Sequence, residues 1–427
     1  MLPTLPELGW PELLDHLSAC ARTPAGARAC AGVELSADPA LIRARYAEVA
    51  EVLALEADGE RVPVGGVGDV AVAVDHASRG TTLDGPELRR VGATLEGLRW
   101  LRKWLGERAE DAPRLWARAV GIEVDEELVE LLARSFDPTG QLSGAEYPEL
   151  DRLRRAVDSL RGRLQSTLDH LLRDEALGDM LQDRYVTERN GRFVLPVKAS
   201  YRRGLGIVHG TSHSGETVYV EPTAVVEVHN DLREAEAARD HEERRILAEL
   251  SRKVGGRRRG ILESLDAAVT LDVACARAGL GRKLDGTLPS VQAEGVLVVP
   301  GARHPLLVLG GVPVVPNDLA LTPQAPGLVL TGPNAGGKTI ALKTIGLCAL
   351  MVRAALPLPG AEGARCDVFD PVLADIGDLQ SVVDGLSTFS AHVKGLGEAL
   401  DGARPGECWF GSPHHSTFFP HCPLRAR

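Results

Sequence analysis

Aromatic residues are only 4% of the 427-residue sequence, lysine supplies 7 of its 48 basic side chains, and no two of its seven cysteines form a C-x-x-C pair. Each scarcity excludes something. The scattered Cys20, Cys30, Cys275, Cys348, Cys366, Cys408 and Cys422 argue against a disulfide framework and favour a reducing compartment. The longest apolar run, residues 345–352, falls far short of the roughly 20 residues needed to cross a bilayer, so no membrane partner is expected. The opening MLPTLPEL has neither the basic nor the apolar region of a secretory signal, and a cytoplasmic location is expected. Acids outnumber bases by 59 to 48, for a formal charge of −11, which excludes a uniformly DNA-coating surface but leaves room for a local basic groove. The preference for arginine over lysine reads as coding bias. What is present is ordinary for a globular protein: 44% hydrophobic and 25% charged residues can supply a sizeable core and exclude wholesale disorder. At about 150 residues per domain the length suggests two to four domains.

The pattern changes along the chain. Residues 1–135 alternate helical stretches with Gly/Pro breaks: a helix opening at Pro11, another over 39–57, a turn-rich break at 63–68 and a helix starting at Gly85. From Leu150, the residues Leu153, Val157, Leu160, Leu164, Leu168 and Leu171 recur at spacings of three and four, an apolar seam along one long helix. A second long helical pattern runs from about Asn230 to Val273, with Gly255-Gly256 as a candidate bend. Two such helices around a short middle segment suggest an antiparallel arm. The middle segment, residues 184–228, has β character, with Asn190-Gly191 as a hairpin turn. Between Arg184 and Arg203 it carries Arg184, Arg189, Arg192, Lys198, Arg202 and Arg203 against the single acid Glu188, with Tyr185, Tyr201 and Tyr219 nearby. Such a basic, tyrosine-bearing tip suits nucleic-acid backbone contact, although a solvated basic face has the same composition. From Gly295 the pattern turns α/β, with strand-like 296–299, 312–315 and 327–330 and a helix over 338–350.

The chemistry sits in Gly332, Pro333, Asn334, Ala335, Gly336, Gly337, Lys338 and Thr339, a full G-x-x-x-x-G-K-[ST] match between an apolar strand and a helix. The glycines let successive backbone N–H groups point at phosphates, and the helix N-terminus adds its positive end. Lys338 is positioned to reach the β- and γ-phosphates of ATP and the Thr339 hydroxyl to ligate Mg²⁺. Further on, Gln380 follows an apolar strand where its amide could orient water or touch Mg²⁺, and Ser387-Thr388 form a polar loop. Taken alone, these last two are loop residues without special chemistry.

Together the stretches Thr331-Gly-Pro-Asn-Ala-Gly-Gly-Lys-Thr, Asp375-Ile-Gly-Asp-Leu-Gln and Leu386-Ser-Thr-Phe-Ser resemble the MutS-type DNA-repair ATPases. Arg303-His304-Pro305 and Val315-Pro-Asn317-Asp318, ahead of the phosphate loop, fit the same family. The segments from Arg184 to Lys198 and from Gly206 to Pro222 look like its second subgroup, the endonuclease and recombination-suppressor branch, and no Phe-x-Glu of a mismatch-reading domain occurs. The resemblance implies a multidomain α and α/β fold: a helical core (1–145), an outgoing lever helix (146–183), a small β clamp (184–228), a returning helix and core (229–290) and a partial, ABC-like P-loop ATPase domain (291–407). It implies a homodimer that sandwiches ATP and Mg²⁺, with Ser387 acting in trans on the partner's γ-phosphate and Asn317 near the nucleotide. It also implies clamping of branched DNA and suppression of recombination, or an ATPase acting on rRNA and stalled ribosomes.

Departures begin after Glu407. The family's apolar strand ending in Asp-Glu, its His-bearing loop, its dimerising helices and the subgroup's nuclease domain have no counterpart, and residues 408–427 are foreign in composition. Cys408, His414, His415, His421 and Cys422 lack the tight ligand spacing of a zinc site, and an out-of-frame tail explains the shift better. The sequence therefore predicts a C-terminally truncated chain that binds nucleotide weakly, hydrolyses it little, and leaves an unpaired sheet edge beside the phosphate strand. A catalytically dead remnant is one competing reading. A chromosome-structuring ATPase is another, disfavoured because there the phosphate loop precedes the coiled coil.

Overall fold

A computed structural model of the chain describes residues 4–201, 204–325, 327–330, 337–375, 408–411 and 416–419. The chain divides into two compact units, one of residues 73–92 and 126–258, the other of residues 1–72, 93–125 and 259–427.

The smaller unit is built on two long helices, Pro148–Arg173 and Thr223–Gly256. Proline at the first helical position, Glu149 and Asp151 in the first turn, and His170 and Arg173 in the last favour the first of these. The leucine seam is real: Val157, Leu164 and Leu168 pack against Val225 and Leu232 of the second helix. An Arg161–Glu236 ion pair of 2.6 Å joins the two. Between them lies a four-stranded antiparallel sheet in the order β1-β2-β4-β3, with β1 Thr187–Arg189, β2 Arg192–Lys198, β3 Gly206–Thr211 and β4 Thr217–Pro222. Asn190 and Gly191 have φ of 49° and 69°, so they form the two-residue, left-handed turn that matches strand twist. Alternate residues Leu195, Val197, Val218 and Val220 close a small core with Leu181.

The second helical pattern is two helices, not one. Thr223–Gly256 ends at Gly256, and Arg258–Leu284 follows after Arg257. Gly255 has a packing reason: a Cβ there would lie 2.6 Å from the carbonyl oxygen of Ala77.

In the larger unit, the helices Trp10–Ser18, Pro24–Ala31 and Pro39–Ala57 start near prolines, and Thr23 and Asp38 accept from backbone N–H groups at two of these starts. Buried Asp272 accepts from the backbone N–H groups of Arg22 and Thr23 and from the Thr23 hydroxyl at 2.7 Å, tying the Arg258–Leu284 helix to the first of these caps. Strands β5 Leu297–Ala302, β6 Asn317–Leu321 and β8 Arg365–Cys366 form one sheet in the order β6-β5-β8. The core gathers Leu13, Leu17, Tyr46, Leu280, Leu297 and Val299 around the helix Lys338–Arg353, which is buried almost continuously from Leu342 onward.

One expectation is corrected here. Residues 312–315 form no strand, because Pro313 and Pro316 lack ladder donors; the strand begins at Asn317, and Val315 is 77% exposed. Among the described strands, the one leading to the phosphate loop, β7 Leu328–Leu330, stands at one end of a four-stranded sheet with one edge paired. It pairs antiparallel with β11 Ser416–Phe419, which pairs with β10 Cys408–Gly411, itself parallel to β9 Val372–Asp375. Residues the sequence reads as an aberrant tail thus supply two strands of this sheet. No described helix is long and apolar enough to cross a membrane.

Candidate nucleotide site and clamp surface

Strand β7 ends at Leu330 and the helix begins at Lys338, as the phosphate-loop pattern requires. Residues Gly332, Pro333, Asn334, Ala335 and Gly336 lie outside the described residues, as do Gln380 and Ser387. Gly337 is described: its φ of 80° is left-handed, where glycine is at no disadvantage, and it caps the helix. Lys338 and Thr339 are the first two helical residues, Thr339 being exposed. They open the helix at the positive end of its dipole, which suits anionic phosphate. Beyond them the helix is anchored: a Cβ on Gly346 would come within 2.7 Å of the Leu8 side chain.

Gly337 and Lys338 border a cavity of about 520 Å³, which is within the usual range for small-molecule sites. Its other walls include Leu307, Val314, Val315 and Ile340, with Asn317, His304 and Thr344 as polar members. Asn317 does stand at this cavity, but its amide donates 3.0 Å to the Val315 carbonyl, so its visible role is to hold the turn before β6. Asp318 accepts from the Gly301 N–H at 2.8 Å and fixes the same turn against β5.

Sequence reasoning gave His304 no role of its own. It is 7% exposed, and burial, assisted by the charge of Lys343, pushes its pKa down to about 4. Asp367 was also missed. This fully buried carboxylate accepts from the backbone N–H groups of Gln292, Glu294 and Val296 at 2.8–3.0 Å and from Arg365, and so pins the loop that enters β5. Burial raises its pKa, but the Arg365 bond and the three N–H donors together outweigh that and leave it lowered. No sequence signal marks Asp367, because its three backbone donors lie about 70 residues away.

The clamp residues divide by what they touch. Arg184 and Arg189 are exposed, and the Arg189 guanidinium stacks 4.6 Å from the centroid of the Tyr219 ring. Tyr185 and Tyr201 are exposed as well. Lys198 is exposed but donates 2.9 Å to the Asp179 carbonyl. Arg192 turns inward, donating 3.1 Å to Glu221 and 2.8 Å to Asn230. Arg202 and Arg203 lie outside the described residues. Glu221, 1% exposed, is the hub of a network: it also accepts from His209 at 2.8 Å and from His229 at 3.0 Å. His229 in turn stacks on Phe193. Among the described residues no group of His, Cys, Asp and Glu is arranged to hold a metal; the histidines of the foreign tail lie outside them.

No protein-family model matches the chain. Curated proteins do. It is 39% identical, over 412 aligned positions, to the Endonuclease MutS2 of Anaeromyxobacter sp., an alignment covering 94% of this chain and 51% of that protein. The Endonuclease MutS2 of Pelotomaculum thermopropionicum is 37% identical over 405 positions, with the same coverage of 94% and 51%. That of Symbiobacterium thermophilum is 39% identical over 400 positions, covering 93% of this chain and 50% of the relative. The chain is of the MutS2 type. It spans about half the length of the curated relatives it matches. A MutS2-type match over 94% of the chain extends far beyond the phosphate motif and takes in helices and small sheet alike.

Proposed function

We propose that this chain is the DNA-handling and ATP-binding portion of a MutS2-type protein that restrains recombination. The observation that carries the reading is the cavity bordered by Gly337 and Lys338 at the N-terminus of a buried helix. Its apolar walls suit a nucleobase and its helix end suits phosphate. Within it Lys338 contacts the β- and γ-phosphates, Thr339 holds Mg²⁺, and residues 332–337 wrap the phosphate chain. Bound ATP supplies a γ-phosphate whose presence or loss distinguishes two states of the protein. Gln380 and Ser387 complete the site, Ser387 from the second subunit of a homodimer. The clamp contacts the backbone of branched DNA through Arg184, Arg189 and Lys198, with Tyr185 and Tyr219 as stacking surfaces; Arg202 and Arg203 extend the same basic run. Arg192 instead holds the clamp together.

Fluorescent ATP titration of the wild-type chain and Lys338→Ala tests the first half: binding is expected for the wild type and a loss of tenfold or more for the variant. Four-way junction binding across a salt series tests the second. Charge reversal by Arg184→Glu with Arg189→Glu should weaken binding and flatten the salt slope by about two. Tight, clamp-dependent binding to ribosomes with none to junctions would replace DNA by rRNA in this reading.

A further inference from the structure

Strand pairing sorts the clamp sheet into two faces. Leu195, Val197, Val218 and Val220 point into the small core, so Tyr219 and its cross-strand partners Pro196 and Gly210 lie on the opposite face. On that face Lys198 pairs with Thr217 and Ile207 with Glu221. Lys198 is exposed and Ile207 is 49% exposed, whereas Glu221 is buried among its donors. Tyr219 is flanked unequally. From the β1 side the Arg189 guanidinium lies over its ring, and on the β3 side its neighbour is a glycine. A Cβ on Gly210 would meet nothing within 4 Å, the Tyr219 ring included, so an open space stands over β3 beside that ring. Among the described strands β3 is the last of its sheet, and the space opens outward. A second ring stands close by: loss of solvent and then the neighbouring Tyr219 raise the pKa of the exposed Tyr185.

We propose that this face holds a single-stranded segment of DNA: an unpaired base stacks against Tyr219 over Gly210, with Ile207 at its edge and Lys198 and Arg189 near its phosphates. This rests on the reading of the clamp as the DNA-binding element and names the form of DNA that it holds. The space over Gly210 is one residue wide in a sheet whose strands lie about 4.8 Å apart, which suits a planar ring and not the outside of a double helix. An arginine-backed tyrosine offers its π-face to any base, so such a site is tolerant of sequence. Ile207 adds apolar surface that phosphate contact would leave idle. Lys198 and Arg189 complement the charge of the strand. Sheet faces that combine aromatic and basic side chains hold single strands in this way. In branched DNA, unpaired bases occur where a strand leaves its helix at the branch point.

The test is fluorescence anisotropy of the full chain with a labelled oligothymidine, a DNA duplex of the same length and an RNA oligouridine. The wild type is expected to bind the oligothymidine several-fold more tightly than the other two. Gly210→Val fills the open space with a residue that strands favour, and should leave the melting temperature unchanged. It should weaken oligothymidine binding roughly tenfold, the effect of losing one base–aromatic stack, and keep duplex binding within about twofold. Gly210→Ala is a smaller step in the same direction and gives the readout if the valine variant melts early. Tyr219→Phe keeps the ring and should retain affinity, whereas Tyr219→Leu should lose it as Gly210→Val does. A 2-aminopurine placed in the oligothymidine should be quenched on binding to the wild type and not to Gly210→Val. Equal oligothymidine binding by the wild type, Gly210→Val and Tyr219→Leu, with duplex binding still dependent on Arg184 and Arg189, overturns this assignment alone. So does a wild type that prefers the duplex or the RNA. Absence of binding to every DNA probe overturns the reading of the clamp and this assignment with it.

Discussion

Glu221→Gln keeps the volume of the side chain and removes its charge, which makes it a sharp probe of the clamp. The carboxylate is 1% exposed and accepts from three donors: Arg192 at 3.1 Å, His209 at 2.8 Å and His229 at 3.0 Å. An amide offers one acceptor oxygen, so its NH₂ must face at least one of those donors. The Arg192 guanidinium also loses its counter-charge and keeps only its bond to Asn230. His229 cannot make up the difference, since burial holds its pKa below the ordinary histidine range despite the opposing pull of Glu221. Breaking a buried ion pair by removing one partner costs about 3–5 kcal/mol. At the low end, about 3 kcal/mol corresponds to roughly a hundredfold in a local opening equilibrium. Native-state hydrogen exchange is the assay, because a chain of two units has no single unfolding free energy. Amides of β2 and β4 should exchange about a hundred times faster in Glu221→Gln, while those of the helix Lys338–Arg353 stay unchanged. Glu242→Gln, at an exposed pair with Arg245, is the control and should leave exchange unaltered. Equal protection of β2 and β4 in the wild type and Glu221→Gln would refute the reasoning.

Three further outcomes are expected. Gly255→Ala drives a methyl group into the Ala77 carbonyl and should destabilise the smaller unit by about 1–3 kcal/mol. Gly256→Ala meets nothing within 4 Å and should be neutral or slightly stabilising, so urea titrations of the two variants should differ in sign or clearly in size. Asp367→Asn turns an amide NH₂ toward backbone N–H donors and should cost about 3 kcal/mol, seen as faster exchange at Gln292, Glu294 and Val296. For pH, His304 has a folded value of about 4, below the ordinary unfolded value of about 6.5. The unfolded chain takes up the proton first, so the contribution is complete above pH 6.5 and is lost as the pH falls toward 4, reaching about 3 kcal/mol at most. Urea unfolding at pH 7.5 and 5 should show a larger loss for the wild type than for His304→Leu.

Much of the local structure follows from sequence alone, because its causes are local. Helix starts are set by proline and by side chains that accept from backbone N–H groups, the leucine seam by 3.6-residue periodicity, and the Asn190-Gly191 turn by the tolerance of those residues for positive φ. The helix after Gly337 follows from the phosphate-loop pattern, and the MutS-type resemblance from several motifs in the right order. Tertiary structure decided what depends on distant partners. Six basic residues look equivalent along the chain, yet Arg192 turns to Glu221 and Asn230 while Arg189 lies over Tyr219. Gly255 looks like a flaw in a helix until Ala77 is placed beside it. Residues 408–411 and 416–419 look alien by composition, but backbone hydrogen bonding is indifferent to composition, and they pair with β9 and β7. His304 and Asp367 carry no periodicity or spacing signal; one became notable through its burial at the cavity, the other through three backbone donors about 70 residues away. Burial and pairing across long sequence separations are properties of the fold, and only the fold could assign them.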